Sequence, residues 1–242
     1  MFRKILVCTD LSSASDALIR CVDEFEALGL EEAVLAYVIY VANTPGLEEM
    51  LAEAARPGLE RQRKILTEQG VKVVVEMPFG KPARTLNDIA VNHDVSVILI
   101  GTRGESLAKG ILLGSVVHRL LQLAEKPVLL IPIRILEGEG FSGTCDALCG
   151  DFFRHPLFAT DFSDPAGKAF LYLEHIVAQT HPKETTLYHV QDEGRINPYL
   201  AHRLDEFNRI DQERLTALEE RLKSRGAGKV HKEVEFGRPG PL

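Results

Sequence analysis

The chain has 242 residues, 45% hydrophobic and 26% charged, with a formal net charge of −7. That length accommodates one large or two ordinary globular domains with real cores. Acidic and basic residues are interspersed along the helices, which leaves no electrostatic footprint for a nucleic-acid partner. No apolar run approaches the ~20 residues of a membrane span, and Met1-Phe2-Arg3-Lys4 leads straight into a strand-like run without a signal-peptide pattern. The expectation is a cytoplasmic protein with neither a nucleic-acid nor a membrane partner.

In chain order, short apolar runs at 3–9, 33–40, 71–77, 95–100 and 127–133 read as strands. Helical spacing occupies 13–28, 46–69, 82–93 and 114–124 between them. Strands that alternate with helices through short connections imply a five-stranded parallel α/β sheet, covered on both faces and joined by right-handed crossovers. In such sheets ligands settle beyond the carboxyl ends of the strands, where the winding reverses. Asp10, Val38 and Gly101 end or follow strands, so they share that edge.

The stretch after the fourth strand carries the strongest chemical signal. It reads Gly101-Thr102-Arg103-Gly104, then nine residues, then Gly114-Ser115-Val116 at the start of a helical run. Glycines let a ligand approach the main chain, and a helix N-terminus presents amides with partial positive charge, so the pattern suits phosphate. Gly114 is expected on a surface loop. There is no G-x-x-x-x-G-K-[ST] lysine, no Ser-Gly-Gly loop of the pyrophosphatase type, and no obvious carboxylate pair poised for magnesium, so dedicated phosphoryl transfer is not expected.

This loop resembles the ATP-binding loop of the universal stress protein family. Lys4-Ile5-Leu6-Val7-Cys8-Thr9-Asp10-Leu11-Ser12 looks like that family's first strand with its acidic end. Val34-Leu35-Ala36-Tyr37-Val38 resembles its second strand, and Lys126-Pro127-Val128-Leu129-Leu130-Ile131-Pro132 its last. The resemblance implies a Rossmann-like, adenine nucleotide alpha hydrolase-like fold that binds ATP or AMP, with Mg2+ an optional companion and no dedicated metal site. It further implies a nucleotide-responsive regulatory or stress-response protein; the alternative is a slow ATPase or a nucleotide-dependent enzyme. The ligand residues it implies are Cys8, Thr9, Asp10, Val38, Gly101, Thr102, Arg103, Gly104, Gly114, Ser115 and Val116, with no catalytic residue. Asp10 would accept from ribose hydroxyls or else cap a helix, Val38 would meet adenine through its main chain, and Cys8 stands where the family often has proline. Lys109 would add charge near the phosphates, and a homodimer would form through the last strand.

An internal repeat sets the organisation. Pro156-Leu157-Phe158-Ala159-Thr160-Asp161-Phe162-Ser163 repeats residues 5–12, Leu187-Tyr188-His189-Val190 repeats Leu35-Ala36-Tyr37-Val38, and Phe236-Gly237-Arg238-Pro239 repeats Phe79-Gly80-Lys81-Pro82. The register stays near 150 to 157 residues, which is the mark of a tandem duplication. The expected division is a nucleotide-binding domain at 1–137, a linker at 138–151, and an incomplete second copy at 152–242 without its own phosphate loop. Cys8 and Cys21 fit buried free thiols. Cys145 and Cys149, in the glycine-rich linker with His155 close behind, would be either a reduced pair or a metal or disulfide site.

Overall fold

The computed structural model describes residues 1–41, 46–102, 113–131, 152–192 and 203–237. The chain divides into two compact units, Met1–Gly150 and Asp151–Leu242.

The first unit is built on β1 (Lys4–Cys8), β2 (Glu32–Ala36), β3 (Lys72–Glu76), β4 (Val97–Gly101) and β5 (Val128–Ile131). All pair in parallel, in the order β3-β2-β1-β4-β5. Successive side chains turn to opposite faces. Leu6, Val34, Ile98 and Ile100 pack with Leu86, Ile89, Val117 and Leu120 in one core cluster. Ile5, Val7, Leu35 and Leu99, at alternate positions, are 0% exposed as well. Burial on both faces is what a helix-covered parallel sheet demands, and each such side chain contributes roughly 1.5–3 kcal/mol.

Among the described residues of this unit the α-helices are α1 (Ser13–Arg20), α2 (Glu48–Glu68), α3 (Pro82–Asn92) and α4 (Ser115–Leu123). The expected continuous helix over 13–28 instead tightens into a 3-10 helix at Cys21–Leu28, which buries Cys21, Val22, Phe25 and Leu28 and ends at Gly29 with φ 83°. Helix α2 runs through Pro57, whose missing N–H leaves a gap in the helical ladder. Cys8 is a buried free thiol, whereas Cys21, expected to be free, is disulfide-bonded. No described helix is long and apolar enough to cross a membrane.

At the amino edge of this sheet, Glu32 lies between Lys4 at 2.7 Å and Lys72 at 3.2 Å. Hydrogen bonds from Lys4 and then Lys72 hold its carboxyl below the ordinary range.

The second unit contains β6 (Leu157–Thr160), β7 (Glu184–Asp192) and β8 (Lys229–Gly237), parallel and in the order β6-β7-β8, with helices α5 (Asp164–Thr180) and α6 (Leu204–Ser224). Phe170, Leu173, Val177, Leu187, Leu215 and Leu222 form its core. The buried Glu174 is neutralised by Arg221 at 2.7 Å, whose guanidinium also stacks on Phe170 at 4.7 Å. Glu219 sits between Lys223 and Lys232, each at 2.6 Å, and hydrogen bonds from Lys223 and then Lys232 lower its pKa. The order β6-β7-β8 repeats β1-β2-β3, and the glycine that follows β3 and the one that ends β8 share a conformation: φ is 156° at Gly80 and 154° at Gly237. At Gly80 the requirement is steric as well, because a Cβ there would collide with the Thr85 hydroxyl.

Candidate functional site

From β1 the first unit's chain winds outward through β2 to β3, then returns to β4 on the other side of β1. The crevice between the carboxyl ends of β1 and β4 is therefore the switch point at which doubly wound sheets bind ligands.

One wall is the turn after β1. Thr9 is still tied to β2, donating its amide to Ala36 O at 3.0 Å. Leu11 then takes φ 65°, a left-handed conformation that costs a non-glycine residue about 1–2 kcal/mol. Side-chain bonds hold it there. The Leu11 amide donates to Thr9 Oγ1 at 2.9 Å, and the Ser12 amide to Asp10 Oδ1 at 3.1 Å. The Ser12 hydroxyl donates to the same oxygen at 2.6 Å, joined by the Ser15 hydroxyl, while the Asp10 amide donates to Ser15 Oγ at 3.2 Å. Ser12, not Asp10, is the N-cap of α1 and accepts from the Ser15 amide. Asp10 is thus an exposed carboxylate aimed by its neighbours, rather than a helix cap.

The facing wall is the exit from β4. Gly101 ends the strand in register with Ile131, Thr102 donates its amide to Ile131 O at 3.0 Å, and the Gly114 amide donates to Thr102 O at 2.8 Å. This last bond brings the start of α4 back to the carboxyl end of β4. Gly114 is the N-cap of α4, with φ −68° and ψ 152°, and no side chain caps the helix. The first bond inside the helix comes from His118 to Gly114 O, so the Ser115 and Val116 amides precede the ladder. Gly114 is buried rather than on a surface loop, because the Thr102 contact folds it beneath the strand end. Ser115 is exposed and Val116 half-buried. Arg103, Gly104, Lys109, Cys145, Cys149 and the linker 138–151 lie outside the described residues.

Val38, expected as a buried strand residue, lies two residues beyond the end of β2 and is half-buried. Its neighbours Tyr37 and Ile39 donate to Glu76 O and Pro78 O, on the β3 side. Alternate residues of a parallel strand turn their amides to opposite sides, so the main chain of Val38 is directed over the end of β1. Cys8 closes β1 with its side chain in the core, and burial pushes the thiol far above its ordinary range. Only its backbone borders the crevice. Among the described residues no group of three or more His, Cys, Asp or Glu side chains is arranged to hold a metal ion.

Behind the first wall stands a residue that sequence reasoning missed. Gln62 of α2 is 0% exposed, accepts from the Thr9 hydroxyl at 2.8 Å, and donates to Asp16 at 2.6 Å. It lies in the run Glu60-Arg61-Gln62-Arg63-Lys64, which reads as a solvent face.

The second unit repeats the first wall. Phe162 has φ 58°, its amide donates to Thr160 Oγ1 at 3.0 Å, the Ser163 amide donates to Asp161 Oδ1 at 3.0 Å, and Ser163 caps α5. The Phe162 ring stacks with His189 at 4.6 Å and with the Arg214 guanidinium at 5.2 Å. His189 donates from Nδ1 to Thr160 O at 2.7 Å, which places Nε2 3.4 Å from Asp211.

A five-stranded parallel sheet wound outward in both directions from β1, with helices between its strands, defines a Rossmann-like α/β domain. Residues 1–132 match the model of the universal stress protein family, and the chain belongs to that family. It is 32% identical over 144 residues to universal stress protein MJ0531 of Methanocaldococcus jannaschii, covering 54% of this chain and 82% of that one. It is also 32% identical over 148 residues to universal stress protein YxiE of Bacillus subtilis, covering 54% of this chain and 99% of the relative. A crystal structure of a universal stress protein from Archaeoglobus fulgidus superposes with a TM-score of 0.74 at 26% identity, over 99% of this chain and 80% of that one.

Proposed function

We propose that the first unit binds an adenine nucleotide, ATP or AMP, in the crevice between β1 and β4, and that the protein acts as a nucleotide-responsive regulator. The observation that carries this reading is the bare N-terminus of α4, anchored by the Gly114–Thr102 bond one strand away from the exposed Asp10 carboxylate. The amides of Ser115 and Val116 and the Ser115 hydroxyl are donors for phosphate. Gly101 and Thr102 form the near side of that cradle, and the resemblance continues it through Arg103 and Gly104. Mg2+ would travel on the phosphates of ATP. Asp10 accepts from ribose hydroxyls, and the Val38 main chain meets the adenine edge beyond the backbone of Cys8 and Thr9.

The second unit, in this reading, is a second copy that starts at residue 152, joined to the 1–137 domain by the linker. Its described residues repeat β1 to β3 and the acidic turn, and include no counterpart of β4 or α4. β5 is an edge strand of the described sheet, and its open ladder supports a two-fold homodimer with Val128–Ile131 paired antiparallel to its equivalent. Light scattering tests the dimer, and a monomer at micromolar concentration would refute it. For the ligand, mass spectrometry of small molecules released on denaturation and calorimetric titration with ATP and AMP are expected to give an adenine nucleotide bound by the first unit. No released nucleotide together with no binding heat would overturn the reading.

A further inference from the structure

We infer that Gln62 is a positioning residue for ribose recognition: it sets the direction of the Asp10 carboxylate, and Asp16 in turn sets the orientation of Gln62. The inference rests on the nucleotide reading above. A buried primary amide can be flipped end for end, but its partners here allow only one orientation. A carboxylate only accepts, so the 2.6 Å contact with Asp16 must come from Gln62 Nε2. Gln62 Oε1 then faces Thr9, and at 2.8 Å the Thr9 hydroxyl must donate its hydrogen to it. The remaining capacity of Thr9 Oγ1 is as an acceptor, and the Leu11 amide uses it at 2.9 Å. Arg61 fixes the far end, donating to both Asp16 oxygens at 3.0 and 2.8 Å.

This relay terminates on the residue that most needs support. Leu11 at φ 65° is the residue that brings Ser12 round to Asp10 Oδ1. Its δ-methyls also face Gly58, where an added Cβ would come within 3.4 Å of both. Helix α2 therefore grips the turn twice, by packing at Gly58 and by an oriented hydrogen-bond chain at Gln62. Without the chain, Leu11 has reason to leave the left-handed region, and Asp10 would lose its aim. A glutamine that merely satisfies the core would influence stability but not the choice between ribose variants.

The test uses the full chain with ATP and 2′,3′-dideoxy-ATP, titrated against wild type and Gln62→Met, with circular dichroism confirming the fold. Wild type is expected to prefer ATP by about ten-fold or more, as for hydrogen bonds to a charged acceptor. Gln62→Met is expected to shrink that preference to within about two-fold while leaving dideoxy-ATP affinity nearly unchanged. Should Gln62→Met fail to fold, Asp16→Ala, at a partly exposed position, is expected to reduce the preference several-fold. A folded variant that keeps the full ribose preference overturns the inference, as does an equal loss of affinity for both ligands. If wild type binds neither ligand, the nucleotide reading falls and the positioning role falls with it. Binding of both with equal affinity in wild type overturns the ribose role of Asp10, and the positioning role of Gln62 with it, while the nucleotide reading stands.

Discussion

In both units the first strand runs into Thr-Asp, a bulky residue in the left-handed region, and a serine that caps the next helix. The two turns share a backbone and differ in what secures it. In the first unit the support is polar: Ser15 and Ser12 gather on Asp10, and Gln62 reaches the turn from behind. In the second unit Ala166 stands at the place of Ser15 and offers no hydroxyl, while Phe162 is held by stacking on His189 and Arg214. The same turn conformation is thus secured by two different sets of contacts. The polar support aims a carboxylate, whereas the aromatic support only keeps the chain in place.

The largest expected effect tests whether the units stand apart. Phe170→Ala empties the centre of the second core and removes the ring under Arg221, at an expected cost of about 3–5 kcal/mol. Urea unfolding should show a weakened second unit while ATP affinity stays within two-fold of wild type. A parallel collapse of binding would mean that the second unit supports the site.

Next comes Ser115→Pro, which acts on a wall that the described second unit lacks. Proline is tolerated at the first helical position, and the extended ψ of 152° at Gly114 suits a residue before proline. The change removes one amide and one hydroxyl from the N-terminus of α4 while the helix persists. ATP affinity is expected to fall by roughly thirty-fold, about 2 kcal/mol. Unchanged affinity in calorimetry would remove α4 from the site.

A milder pair separates the two acidic turns directly. Asp10→Asn keeps an oxygen for Ser12 and Ser15 but loses the charge, so nucleotide affinity should drop several-fold with little change in melting temperature. Asp161→Asn should leave affinity untouched. Equal effects from the two substitutions would erase the distinction drawn here.

The smallest effect concerns what the units share, a carboxylate held between two lysines. Glu32 and Glu219 both have depressed pKa values, so their stabilisation is fully present above about pH 4.5 and is lost as pH falls through the lower folded value. Glu32→Gln and Glu219→Gln should each flatten the acid limb of the stability curve by about 1 kcal/mol or less. Urea titrations at neutral pH and at roughly pH 3.5 would show it. A larger loss at neutral pH than in acid is the expected sign, and the reverse would contradict the assignment.

Much of this architecture was legible in the residues, for a physical reason. Parallel strands buried on both faces must be short runs of Val, Ile and Leu, so their number and order of appearance stand out. The repeat was visible because a Thr-Asp-x-Ser turn needs those side chains for its own hydrogen bonds. Strand ends were overestimated where the ladder stops, as at Val38, since a neighbour's departure leaves no mark on the strand itself. The 3-10 winding of Cys21–Leu28 and the burial of Gly114 are likewise tertiary outcomes. Gln62 was hidden among charged residues because helical spacing cannot say that this one position points inward.

Helix α2 carries one more consequence, for motion rather than recognition. Pro57 removes a bond from the ladder, and Gly58 follows it, at the point where Leu11 comes closest. Mechanically, the 21-residue helix is expected to act as two rods joined by a soft coupling. The rod after Gly58 buries Leu59, Gln62 and Leu66, and Gln62 bonds to Thr9 and Asp16. The rod before it has Ala52 and Ala55 as its buried residues and can swing on a shorter lever. Amide exchange should therefore change abruptly across Pro57, with residues 48–56 opening sooner and the segment that steadies the turn opening last.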